Sequence, residues 1–210
     1  MSDGLTRVDL LRHGEPEGGP RYRGCGIDDP LSETGWAQMW AAVGPSEGWP
    51  WQRVISSPLR RCRAFAEALA ERAGLPLTVA EDLREIGFGQ WEGRNKRVAR
   101  ALDPAAWEAF YADPVAHPPP GAEPVADFQR RVTDCYRELV AAHRGEHLLV
   151  VAHAGVMRAI VAQLLGGGPA ALFRLQIDYA GMAGIEHGGH FGDRVCWFNA
   201  PHTAVRCTGR

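Results

Sequence analysis

Lysine is nearly absent from this chain: of 23 basic residues only Lys96 is a lysine, which leaves 22 arginines. Planar guanidinium forks suit phosphate recognition, but codon bias produces the same skew without any function, so the imbalance decides nothing by itself. An excess of one charge sign is also missing. With 23 Lys and Arg against 25 Asp and Glu, the formal charge of −2 gives no electrostatic footprint for a nucleic-acid backbone or an anionic membrane. A small-molecule partner is favoured. Long apolar runs are lacking too: a stretch such as residues 148–152 falls far short of the roughly 20 residues of a membrane-spanning helix. No Cys-x-x-Cys pair occurs, and the five cysteines, Cys25, Cys62, Cys135, Cys196 and Cys207, are odd in number and scattered. That argues against a disulfide framework or a zinc site and fits a reducing cytoplasm. Met1-Ser2-Asp3-Gly4 shows no basic region leading into an apolar core, so no secretory signal is expected.

What is present fits one well-cored α/β domain. The 210 residues are 45% apolar and 23% charged, enough apolar surface to offset the entropy of ordering the chain. The 25 glycines and 15 prolines follow no collagen-like period and imply many tight loops. Residues 6–11 read as a strand broken by Gly14 and Pro16. Ser32 can N-cap a helix whose apolar face is Trp36, Met39, Trp40 and Val43. A second strand over residues 53–56 leads to Ser57-Pro58, read as the cap and first position of a helix that Gly74 stops. A third strand is expected over 75–79, a short helix over about 104–111 and a longer one over about 123–142. Residues 147–152 form a continuous apolar strand of the kind buried on both faces in parallel sheets. A helix over 156–165 follows, and then two or three closing strands at 173–177, 182–185 and 195–198. Alternating strands and helices imply a three-layer α/β sandwich with a mainly parallel central sheet, which binds ligands beyond its C-terminal strand ends.

His13 and His153 both fall at such ends. Arg12-His13-Gly14 follows the first strand, Ser56-Ser57-Pro58-Leu59-Arg60-Arg61-Cys62 the second, residues 83–93 the third, and Ala152-His153-Ala154-Gly155 ends a later one. Together and in this order, these four blocks resemble the histidine phosphatase superfamily, with its phosphoglycerate-mutase-like fold. The resemblance implies a single domain over residues 1–210 with a helical, lid-like insertion at about 94–125.

It also implies roles. His13 is the expected nucleophile, and a neutral imidazole nitrogen that captures the phosphoryl group divides one hard hydrolysis into two displacements. Arg12 and Arg61 match the two pocket arginines whose forks suit phosphoryl oxygens; Arg60, next to Arg61, fits the spacing less well. His153 is expected as a cation donating to those oxygens, with Ala154 at the start of a helix whose dipole favours an anion. Glu85 matches the general acid that protonates the leaving oxygen, with Glu92 as its rival. Arg23 and Gly24 are expected to touch substrate, and Glu15 to fix a loop.

The loop over residues 22–35 and the phrase Phe88-Gly89-Gln90-Trp91-Glu92-Gly93 look like small phosphatases of that family, in particular α-ribazole phosphatases of cobalamin synthesis. Ala122 and Pro124 beside Glu123 depart from the family's usual glycine and serine. Three functions compete: a phosphomonoesterase acting on a small phosphorylated substrate, a mutase that retains the phosphoryl group, and a non-catalytic phospholigand-binding module. Neither a metal nor an organic cofactor is expected. His143 and His147 are badly placed for shared ligation, and His187 and His190 are expected to flank a hairpin. Trp107, Phe110 and Tyr111 suit packing, or else a wall that stacks on a substrate. A homodimer is left open.

Overall fold

Strand β1 (Thr6–Arg12) is covered on both edges: it runs parallel to β4 (His147–Ala152), with Arg12 opposite Ala152, and antiparallel to β5 (Met182–Gly189). The computed structural model describes residues 4–190 and 192–200; Cys207 and residues 1–3 lie outside that range. β4 pairs on its other edge with β2 (Arg53–Ser56), which pairs in turn with β3 (Leu77–Val79), all parallel. β6 (Gly192–Ala200) closes the far edge as an antiparallel hairpin with β5, giving the order β3-β2-β4-β1-β5-β6.

Period-two alternation sends successive side chains to opposite faces, so each buried strand feeds two cores. Val8, Leu10, Leu148 and Val150 pack against Phe128, Val132, Met157 and Ile160 of α5 (Val125–Ala142) and α6 (Ala154–Leu164). Leu11, Leu149 and Val151 face Met39, Val43, Phe65 and Leu69 of α1 (Glu33–Val43) and α2 (Arg60–Ala73). Each fully buried Leu, Ile or Phe contributes about 1.5–3 kcal/mol. Ser32 caps α1 by accepting the Gly35 N–H, and Gly74 ends α2 in the left-handed conformation. Among the described residues no helix is long and apolar enough to cross a membrane.

Several expected elements shift. Helix α2 begins at Arg60 with Leu59 as its N-cap, not at Pro58 with Ser57; the Ser57 hydroxyl meets His153 instead and accepts only the Leu59 N–H. Helix α6 begins at Ala154, two residues earlier than its apolar spacing marks. Residues 173–177 are not a strand: Pro169–Arg174 is a 3₁₀ turn, and both edges of β5 are already taken by β1 and β6. A seven-residue helix, α3 (Lys96–Leu102), precedes α4 (Pro104–Ala112). Its polar, arginine-rich face carries little periodic signal, although Asn95 caps it by accepting the Val98 N–H.

Candidate active site

Because β1, β2 and β4 run in the same direction, their C-terminal ends bring Arg12, His13, Ser57 and His153 to one end of the sheet. A cavity of about 710 Å³ opens there. His13 is 5% exposed, and its Nδ1 lies 2.7 Å from the Gly14 carbonyl oxygen. A carbonyl only accepts, so Nδ1 carries the proton and Nε2 keeps its lone pair. Burial first, then the cations Arg61 and Arg12, hold the His13 pKa well below the ordinary histidine value. Gly14 is needed for the approach of α1: a Cβ there would sit 2.2 Å from the Gly35 carbonyl oxygen.

The two arginines are positioned by backbone carbonyls. Arg12 donates from Nη1 to Ile177 O at 2.7 Å, and its guanidinium lies 4.2 Å from the centre of the Tyr179 ring. Arg61, 1% exposed, donates from Nη1 to Ile27 O and from Nη2 to Gly24 O. The Nε–H groups of both are buried without an acceptor among the described residues, an arrangement that costs stability unless a bound group accepts from them. The neighbouring Arg60 is exposed, and only its backbone N–H is engaged, by Asp28.

His153 is fully buried, its ring 5.2 Å from that of His13 and at 64° to it. Its Nε2 is 2.7 Å from Ser57 Oγ, which also accepts the Leu59 N–H, and Cys62 Sγ lies 3.5 Å from the same nitrogen. Burial first, with Arg61 and His13 adding repulsion, pushes the His153 pKa well below its ordinary value, against the cation expected from the sequence. A phosphoryl dianion beside it would act in the opposite direction.

Glu85 reaches the cavity from the loop after β3. One carboxylate oxygen accepts the Ile86 N–H at 3.0 Å and the other accepts the Gly155 N–H, in the first turn of α6, at 3.1 Å. Glu92 does not line the cavity. It accepts the Phe88 N–H, and its carboxylate fills the space where Gly24 and Gly26 lack side chains. Arg23 does line the cavity, but its donors are committed to Asp29 and to the carbonyls of Glu17 and Gly19. Gly24 contributes its carbonyl to Arg61. Both organise the loop, and Arg23 Nη1 makes just a long 3.5 Å contact to the Arg21 carbonyl. Glu15 fixes its loop through the backbone, accepting from the Ser32 N–H and hydroxyl.

Ala154, Phe110 and Tyr111 line the cavity, and Trp107 packs behind them with Trp91 and Phe110, its ring 4.6 Å from that of Tyr111. His147 pairs with Asp9, and His187 bridges Tyr136 and Asp193. No group of three or more His, Cys, Asp or Glu among the described residues could hold a metal ion, and Cys25, Cys62 and Cys135 are free thiols.

Residues 8–200 match the histidine phosphatase superfamily (branch 1). The chain belongs to that superfamily. This histidine phosphatase superfamily member is 34% identical over 183 residues to a bifunctional protein of Mycobacterium tuberculosis, covering 86% of this chain and 50% of the relative. It thus spans about half the length of that relative. It is 30% identical over 182 residues to the adenosylcobalamin/alpha-ribazole phosphatase of Salmonella typhimurium, covering 86% of this chain and 90% of that one. The structure of mycobacterial glucosyl-3-phosphoglycerate phosphatase superimposes with a TM-score of 0.81 at 29% identity, covering 93% of this chain and 99% of that one.

The motifs do not reveal the groups that hold the site residues in place. Tyr179 under Arg12, Ser57 against His153, and Arg158 on the cavity wall come from segments outside the blocks or from a residue first read as a cap. Only the serine preceding Pro58 carries a local signal, and it points to helix capping.

Proposed function

We propose that this chain is a phosphomonoesterase that acts on a small phosphorylated metabolite through a phosphohistidine. The observation that carries the reading is the placement of His13, whose Nδ1 faces the Gly14 carbonyl and leaves Nε2 as the attacking nitrogen, beside Arg12 and Arg61, whose buried Nε–H groups have no acceptor among the described residues. In the first step Nε2 attacks phosphorus and the bond to the leaving oxygen breaks, while Glu85 delivers a proton to that oxygen. In the second, the Glu85 carboxylate takes a proton from water, the water oxygen attacks phosphorus, and the P–N electron pair returns to Nε2. Arg12 and Arg61 carry the charge that develops on the phosphoryl oxygens. His153, held by Ser57, completes the pocket behind His13.

Helices α3 and α4, within residues 94–125, supply one wall of the cavity and serve as its lid. The names of the relatives supply two first esters to test, α-ribazole 5′-phosphate and glucosyl-3-phosphoglycerate. His13→Ala should abolish turnover with the fold kept, and the wild type alone should trap acid-labile label from a phosphorylated substrate. Activity and label retained in the variant would refute the reading. Phosphoglycerate interconversion primed by a bisphosphate, in place of phosphate release, would favour a mutase.

A further inference from the structure

The cavity holds more positive charge than one phosphoryl group requires. Arg12 and Arg61 flank His13, and Arg21 and Arg23 share the single carboxylate of Asp29. Two further arginines, Arg158 and Arg174, line the cavity, as does Lys96. Arg158 lies on α6 one turn beyond Ala154, and its Nε donates to the Leu175 carbonyl at 2.7 Å, one residue from Arg174. Its terminal nitrogens have no hydrogen-bond acceptor among the described residues, and neither does Arg174. Glu85 offsets part of the Arg158 charge electrostatically, while its two oxygens accept the Ile86 and Gly155 N–H groups. The remaining carboxylate on the lining, Asp113, is turned to the Val115 and Ala116 N–H groups. Such an accumulation is unexpected in a chain of net charge −2 unless the ligand brings compensating charge.

Position decides which part of the ligand that is. Glu85 marks where the leaving oxygen departs, and Arg158 sits beside it on the same helix end, so these cations face the alcohol portion and not the transferred phosphoryl. Phe173, between Leu172 and Arg174 on the 3₁₀ turn, meets Phe110 at 5.4 Å between ring centres, which adds an apolar strip next to the charged one. The cavity volume also exceeds what orthophosphate alone would fill. We propose that the alcohol portion of the substrate carries a second anionic group, a carboxylate or a second phosphate, bound by Arg158 together with Arg174. The proposal rests on the phosphomonoesterase reading above.

The test compares three esters of one chain length: propyl phosphate, 3-phosphonooxypropanoate and propane-1,3-diol bisphosphate. The wild type should favour the doubly anionic esters in kcat/KM by on the order of 10- to 100-fold, as charge-assisted hydrogen bonds allow. The ranking of the carboxylate and the phosphate identifies which group is read. Arg158→Met and Arg174→Met should each reduce that preference several-fold, while inhibition by inorganic phosphate, which reports the phosphoryl pocket, keeps its strength. Equal kcat/KM for all three esters in the wild type, or a preference unchanged in both variants, overturns the subsite. So does loss of phosphate inhibition alongside the preference, since Arg158 would then belong to the phosphoryl pocket. If no ester is hydrolysed, the phosphomonoesterase reading fails instead. Calorimetric titration of His13→Ala with the same esters then decides the subsite by binding: tighter binding of the doubly anionic esters upholds it, and equal binding overturns it.

Discussion

Gly155→Ala tests the placement of Glu85 without touching a titratable group. A Cβ at Gly155 would stand 2.1 Å from a Glu85 carboxylate oxygen and 3.2 Å from Phe128 Cζ. The carboxylate must retreat by about 1 Å or more, and it can do so cheaply because it is the far end of a flexible side chain, whereas Phe128 gives only slightly. The strain, about 1 kcal/mol, is offset by the preference of a helix for alanine over glycine, again about 1 kcal/mol, so thermal stability should change little. Catalysis should not escape. A displacement of about 1 Å costs on the order of 100-fold, within the 10²- to 10⁴-fold that positioned proton transfer contributes. The assay is kcat/KM for an alkyl phosphate and for p-nitrophenyl phosphate. Nitrophenolate leaves without a proton, so Gly155→Ala and Glu85→Gln should both cost about 100-fold or more on the alkyl ester and far less on the aryl ester. Equal losses on both esters would refute Glu85 as the acid, and a leaving-group-dependent loss in Glu92→Gln would transfer the role to that residue.

Stability should fall with acid in a defined window. The folded pKa values of His13 and His153 are depressed, so as pH falls the unfolded chain binds their protons first; stability is full above about pH 6.5 and declines below it. Each histidine adds a slope of up to about 1.4 kcal/mol per pH unit, and His153→Asn should remove one of the two between about pH 6.5 and 5 in denaturant titrations; an unchanged slope would contradict neutral burial. Gly14→Ala faces backbone, not a flexible side chain, since its Cβ would meet Gly35 O at 2.2 Å, and should cost about 3 kcal/mol in chemical denaturation; a loss under about 0.5 kcal/mol would mean that the loop is free to move. Because Arg12 and Arg61 supply the positive charge, activity should survive dialysis against EDTA; loss restored by magnesium or manganese would point to a metal hydrolase.

Much of this protein was legible from the residues alone, because the signals involved are local. The apolar run in β4, the alternation in β1 and the breakers at Gly14, Pro58 and Gly74 report burial and backbone preference within a few residues. They suffice for a mainly parallel sheet with His13 and His153 at strand ends, and the spacing that singles out Arg61 over Arg60 is local as well. Tertiary structure decided what depends on partners far away in the chain. Arg12 is held by a carbonyl 165 residues on, Ser57 by a histidine 96 residues on, and Glu85 by an N–H 70 residues on. For the same reason the lowered pKa of His153, the pairing of Arg23 with Asp29 and the presence of Arg158 and Arg174 on one cavity lining cannot be read from spacing. Desolvation and the occupancy of donors are set by what packs around a group, and packing is complete only once the sheet has brought these segments together.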